Sequence, residues 1–140
     1  CGGGVGIAPL AALQDDIGEA TVLLGFRDAE HAPGAALMRD AEVATDDGSA
    51  GHHGRVTELL ERELGDDDVE VFACGPPPML EAVRAMCEER DVPAQLALES
   101  GMACGYGACF GCVVRTRNGY RRLCVDGPVV AAADLEEGWE

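Results

Sequence analysis

A chain of 140 residues has room for one ordinary domain plus a small appendage, and 47% hydrophobic residues are enough for a buried core. Its formal charge of −16, with arginine supplying all ten basic residues, opposes a phosphate backbone and excludes nucleic acid as a partner. No apolar run nears membrane-spanning length and no signal peptide is visible, so the expectation is a cytoplasmic protein with no membrane association.

The chain opens at Cys1 inside a glycine motif rather than at Met. It is therefore expected to be a fragment whose first strand survives only as its end. Gly2-Gly-Gly-Val-Gly-Ile-Ala-Pro9 contains G-x-G-x-x-P ahead of a helical stretch at 7–16. Gly3, Gly4 and Gly6 would let backbone approach a pyrophosphate at a helix N-terminus, where free N–H groups and the macrodipole favour anions. Pro9 stands where the usual dinucleotide fingerprint has its third glycine. A plain glycine turn is the alternative.

Strands are expected at 20–26, 42–45, 69–74 and 93–98, mostly apolar as in a sheet covered on both faces. Helices are expected between them at 34–39, 55–64 and 77–90. In the stretch at 55–64, Val56, Leu59, Leu60 and Leu64 fall on one helical face. Alternating β and α implies a parallel sheet with right-handed crossovers, an α/β nucleotide-binding domain over residues 1–99. Arg27 follows the second strand, where an adenosine ribose is expected. It is a candidate partner for a 2′-phosphate, or an exposed residue without a role. Asp46 and Asp47 are candidates for ribose hydroxyls or for turn formation. His52 and His53 read as solvated loop residues, and the run at 66–68 as a solvated turn. Cys74-Gly75-Pro76 ends the 69–74 strand. An uncharged thiol before a stiff Gly-Pro turn suits a flat nicotinamide ring, and Cys74 is the candidate catalytic contact. A small buried residue is the alternative. Cys87 reads as packing.

Residues 100–140 are loop-rich. Cys104, Cys109 and Cys112 form C-x4-C-x2-C, and eleven residues separate Cys112 from Cys124. This is the plant-type ligand order for a [2Fe–2S] cluster. Gly101, Gly105, Gly107 and Gly111 suit a chain wrapped tightly around a small inorganic core. Asn118-Gly119 between two β-like runs predicts a hairpin that brings Cys124 back to close the site. Zinc is the alternative occupant, which would make the chain a non-redox interaction module. The tail 131–140 carries no motif.

Together, Gly2–Leu10, the stretch TDDGSAGHHG at 45–54, ACGPPPML at 73–80, MACGYGACFGC at 102–112 and CVDGPV at 124–129 resemble the ferredoxin–NADP reductase superfamily. Within it the likeness is to electron transfer subunits of class 1B, NAD-dependent dihydroorotate dehydrogenase. The resemblance implies a reductase-like parallel-sheet domain at 1–99 and a hairpin-rich [2Fe–2S] domain at 100–140. It implies electrons passing from NADH through FAD to the cluster. From there they pass to an FMN-containing dihydroorotate dehydrogenase catalytic subunit in a hetero-oligomer, serving pyrimidine biosynthesis. The family's N-terminal barrel, which makes most FAD contacts, has no counterpart in this sequence. Subunits of sulfhydrogenases and of NADH-dependent ferredoxin:NADP oxidoreductases share the layout. The latter commonly carries an aspartate among its cluster ligands, where this chain has Cys104.

Overall fold

A computed structural model describes residues 1–65 and 69–139, so the expected turn at 66–68 lies outside the described residues. Its strands are β1 (Gly2–Gly3), β2 (Val22–Phe26), β3 (Ala41–Thr45), β4 (His52–His53), β5 (Val71–Cys74), β6 (Ala94–Ala97), β7 (Val113–Thr116), β8 (Gly119–Arg122) and β9 (Val129–Ala131). Seven of them form one sheet in the order β4-β3-β2-β1-β5-β6-β9, and β7 and β8 pair as a separate hairpin. The large sheet is parallel from β4 to β6, and β9 joins antiparallel to β6. The helices are α1 (Ile7–Ile17), α2 (Val56–Glu63), α3 (Pro77–Glu89) and the single turn α4 (Leu123–Asp126).

The apolar runs are continuous because both faces of the sheet are covered. Val22, Leu24 and Phe26 pack with Ile7 and Met38 on one face. Leu23, one pleat along, packs with Leu59, Leu60 and Val83 on the other. The second cluster continues through Leu96 and Leu98 into Cys112, Val114 and Leu123 of the hairpin module. The cysteine region thus rests on the same core as the sheet.

One expected element changes. The stretch at 34–39 is not an α-helix; a 3-10 segment occupies Ala32–Leu37. Gly34 is a poor α-helix former, and it sits where a Cβ would lie 2.6 Å from Ile7 Cδ1, so the segment lies close against α1. Val129–Ala131 adds a strand to the sheet of the first region, so that sheet draws on residues from both sides of 99/100. The described part of the motif-free tail, 131–139, is part of this return. Arg117 N–H donates to Asp134 O at 2.8 Å, and Leu135 and Trp139 are buried.

His52 and His53 are not free loop residues. They pair beside β3, and His52 Nε2 meets Glu58 Oε2 at 2.9 Å. The other Glu58 oxygen accepts the Arg55 N–H at 3.1 Å, capping α2. These bonds, His52 foremost, hold the Glu58 carboxyl below its ordinary range. A depressed carboxylate contributes stability above its unfolded pKa and loses it as pH falls through the folded value. Glu58→Gln is therefore expected to lower the melting temperature at pH 7. The gap from wild type should narrow below about pH 4 and close as the carboxylate takes up its proton. A gap that persists in acid would mean that packing, not charge, explains it.

Candidate functional site

Two constellations hang from the C-terminal edge of the parallel strands, where open α/β sheets bind ligands. The first is a cleft of about 760 Å³. Gly3, Gly4, Ile7 and Ala8 form its wall at the β1–α1 turn, and Pro76 and Met79 face them from the β5–α3 turn. Gly4 has φ +54° and open space where a Cβ would stand, so its backbone is free to meet a ligand. A 3-10 turn at Gly4–Gly6 leads into α1, where the Ile7 N–H is engaged by Val5 O and Pro9 has none, so only part of the usual set of free N–H groups faces a ligand there. At the start of α3, Pro76, Pro77 and Pro78 carry no N–H, so of the two helix starts only that of α1 offers backbone donors.

The glycines expected to act alike do different things. Gly6 is buried and does not line the cleft. A Cβ there would lie 2.4 Å from Cys74 O, so Gly6 lets the two turns touch. Gly75 likewise lies behind the cleft, against Met79 and Gly3 N. Gly3 and Pro76 line the cleft. Cys74 is 3% exposed and is not among the cleft's lining residues. Burial pushes its thiol up, and the Glu99 carboxylate adds to this, so it is a neutral thiol behind the turn. Sequence reasoning does not single out Met79 or Arg55. They come from separate turns that only the fold brings together, and no local pattern marks them.

The second constellation is the cysteine loop. The chain leaves β6, whose end lies beside Cys74 in the register Cys74↔Ala97, and wraps through residues 99–111. Gly105 and Gly107 take φ of +73° and +85°, and Phe110 takes +57°, a conformation that costs a bulky residue energy. The Arg122 guanidinium lies over the Phe110 ring, 5.6 Å from its centroid. The β7–β8 hairpin turns at Gly119 as expected, and Leu123 N–H donates to Cys112 O at 3.1 Å. That bond sets Cys124, on α4, against Cys112. Asp126 ties the return by accepting from the Arg122 N–H at 2.7 Å.

The four cysteines meet as two pairs. The Cys104 thiol is lowered to about 6 by the N–H groups of Cys109 and Tyr106 and by the neighbouring Cys109 thiol. Cys112 is lowered by the N–H of Cys124 and by its thiol, and Cys124 is raised in turn by Cys112, with Cys104 within electrostatic reach. Four thiols in two pairs, Cys104 with Cys109 and Cys112 with Cys124, with N–H groups aimed at sulfur, are a donor set suited to a two-iron core. The residues present fit a [2Fe–2S] cluster. All seven cysteines are free thiols. Cys87 is buried on α3, as a packing residue should be.

Residues 99–136 match the family described as the iron–sulfur cluster binding domain of dihydroorotate dehydrogenase B. The whole chain is similar to electron transfer subunits of dihydroorotate dehydrogenase B (NAD(+)). It is 39% identical to that of Caldanaerobacter subterraneus subsp. tengcongensis, over 96% of this chain and 57% of the relative. It is 36% identical to that of Clostridium acetobutylicum, over 95% of this chain and 54% of the relative. A homologue of the subunit in Aquifex aeolicus is 43% identical over 96% and 55%. Among solved structures, a chain of the NADH-dependent reduced ferredoxin-NADP oxidoreductase, studied for flavin-based electron bifurcation, superposes with a TM-score of 0.79. It is 30% identical, and the match covers 97% of this chain and 52% of that one. The chain thus spans just over half the length of the curated relatives it matches.

Proposed function

We propose, given that this chain belongs to the family of dihydroorotate dehydrogenase B electron transfer subunits over the part it shares with them, that it carries electrons between a partner subunit and NAD(H). The partner would be an FMN-containing catalytic subunit that oxidises dihydroorotate, so it is the electron donor and NAD(+) the acceptor; the expected direction, from NADH toward that subunit, would leave two reductants and no oxidant. The observation that carries the proposal is the joining of a dinucleotide-shaped cleft and a paired four-cysteine loop at one sheet edge.

NAD(+) takes up two electrons as a hydride while a [2Fe–2S] cluster would pass one at a time, and FAD between them would collect the pair. The residues of this chain bind, orient and shield. Gly3 and Gly4 admit the pyrophosphate to the α1 N-terminus. Pro76 and Met79 close the opposite wall, and the buried Cys74 supports that turn without a charge beside the nicotinamide. Asp46, on the cleft wall, is suited to accept a ribose hydroxyl. Cys104 and Cys109 would hold one iron, Cys112 and Cys124 the other. N–H groups of Cys109, Tyr106 and Ala108 directed at the Cys104 sulfur stabilise added negative charge and so raise the potential. Leu123, Val114 and the buried Cys112 keep water from the inner side of the loop. FAD is assigned mainly to the portion of the relatives outside the shared half. Residues 100–127 form the cluster-binding unit and the remainder the nucleotide-binding unit in this proposal.

Anaerobic reconstitution tests it. The expected product is brown, holds about two irons and two labile sulfides per chain, and bleaches on reduction. A colourless protein with one zinc overturns it. A second partner is favoured by the likeness to the ferredoxin-NADP oxidoreductase chain. Pairing the oxidised, reconstituted protein with a dihydroorotate-oxidising subunit plus dihydroorotate, or with reduced ferredoxin, separates the two: the proposal expects the cluster to be bleached through the former.

A further inference from the structure

Between residues 99 and 112 the chain has no basic side chain of its own. The cation at this loop comes from the end of β8. Arg122 is partly buried, and its guanidinium has three neighbours: Nη1 donates to Gly107 O at 3.4 Å, Nε faces Asp126 Oδ2 at 3.6 Å, and the group lies over the Phe110 ring. Among the described residues no other basic side chain bonds to this loop.

These contacts are spread along the chain in a telling way. Gly107 lies between Cys104 and Cys109, Phe110 between Cys109 and Cys112, and Arg122 itself between Cys112 and Cys124. One side chain therefore ties together all three intervals that separate the four sulfurs. At Phe110 the guanidinium over the ring offsets part of the cost of a bulky residue at φ +57°. At Gly107, φ is +85° and a Cβ would lie 2.6 Å from Val125 Cγ2, so only bare backbone passes there.

The Gly107 carbonyl belongs to the same peptide unit as the Ala108 N–H, and in a trans peptide the two point in opposite directions. Arg122 sits on the carbonyl side, and the Ala108 N–H is among those directed at the Cys104 sulfur. A cation bonded to the carbonyl polarises the unit and strengthens its N–H as a donor. We infer that Arg122 is a positioning residue for the cluster: by holding the Gly107 carbonyl and the Phe110 ring it keeps the 107–108 peptide turned toward the Cys104 sulfur, and so raises the potential of a cluster that it does not ligate. The inference rests on the [2Fe–2S] reading and adds a residue that tunes the site through the loop. A donor at sulfur favours the more negative, reduced form, which fixes the direction of the effect.

The test compares reconstituted wild type with Arg122→Gln, Arg122→Lys and Arg121→Gln. It uses redox titration, and the couplings of exchangeable protons to the dithionite-reduced cluster. Arg122→Gln should keep the irons, sulfides and visible spectrum of wild type, since all four thiols remain. Its potential should fall, and one exchangeable-proton coupling should weaken. Arg122→Lys keeps the charge but has no planar fork to lie over Phe110 while bonding Gly107 O, so it should recover less than half of the shift. Arg121→Gln removes the same charge one residue away, from a side chain that donates to the Asp126 carbonyl, and should behave as wild type. Wild-type potential and couplings in Arg122→Gln overturn the inference. So does full recovery by lysine, or an equal shift in Arg121→Gln, because charge alone would then account for the effect. Should Arg122→Gln take up too little iron to titrate, the lysine variant decides by the same criterion. A wild type that assembles no cluster fails the [2Fe–2S] reading itself.

Discussion

Cys109→Ser should lose more than half of the iron and labile sulfide of wild type after identical reconstitution, with little change in melting temperature of the apoprotein. Cys109 is the exposed member of the quartet, and its sulfur meets only the Gly111 N–H, at 3.4 Å, and the Cys104 thiol. It contributes almost nothing to the core, so iron retention and folding separate cleanly there. Cys112→Ser should lose iron and also melt earlier, because Cys112 belongs to the core cluster shared with Val114 and Leu123. Cys104→Ser and Cys124→Ser should fall between. Each pair is expected to hold one iron, so any single loss should remove the whole cluster rather than half of it. Wild-type iron and spectrum in all four variants would sink the ligand assignment. Cys87→Ser is the control: it lies on α3 in the core and should keep its cluster while melting earlier.

The parts of the molecule legible in sequence are those specified locally. The cysteine spacing is local, since a C-x4-C-x2-C loop must wrap on itself wherever it is placed. Asn118-Gly119 specifies a tight turn by backbone conformation alone. The parallel strands stand out because burial on both faces leaves no polar alternation to confuse them. The rest depends on distant segments meeting. Val129–Ala131 is too short to announce itself and becomes a strand only because β6 offers an open edge. The segment at 34–39 reads as helical, yet a 3-10 segment at Ala32–Leu37 replaces it, with Gly34 placed where even a Cβ would crowd Ile7. Cys74 reads as a nicotinamide contact or as a small buried residue because it ends a strand at the ligand edge; it is buried and is not among the residues lining the cleft. Arg55 reads as the first residue of a helix, and only β2, β3 and α2 together turn it toward the cleft.

Gly6→Ala should destabilise the protein by about 3 kcal/mol and lower the melting temperature by about 10 °C, whereas Gly4→Ala should cost no more than about 1–2 kcal/mol. The two glycines sit two residues apart in one motif, and nothing local distinguishes them. Gly6 has an ordinary φ of −62°, so its need is space. An added Cβ would meet Cys74 O at 2.4 Å, Cys74 C at 2.5 Å and Gly75 N at 2.7 Å. All three are backbone atoms, which cannot swing aside as a side chain does. The β1–α1 and β5–α3 turns would have to part by about 1 Å to reach ordinary contact, and the cleft between them would deform. Gly4 is the reverse case: its φ is +54° and no atom lies within 4 Å of where an added methyl would stand, so its cost is backbone conformation alone. That methyl would project where the pyrophosphate is expected, so Gly4→Ala should fold and keep its iron while binding ADP at least about tenfold more weakly. Gly6→Ala should show its effect first in thermal and denaturant unfolding. Equal melting of the two variants would mean the turns are not locked together through Gly6. Unchanged ADP affinity in Gly4→Ala would move the pyrophosphate away from the glycine turn.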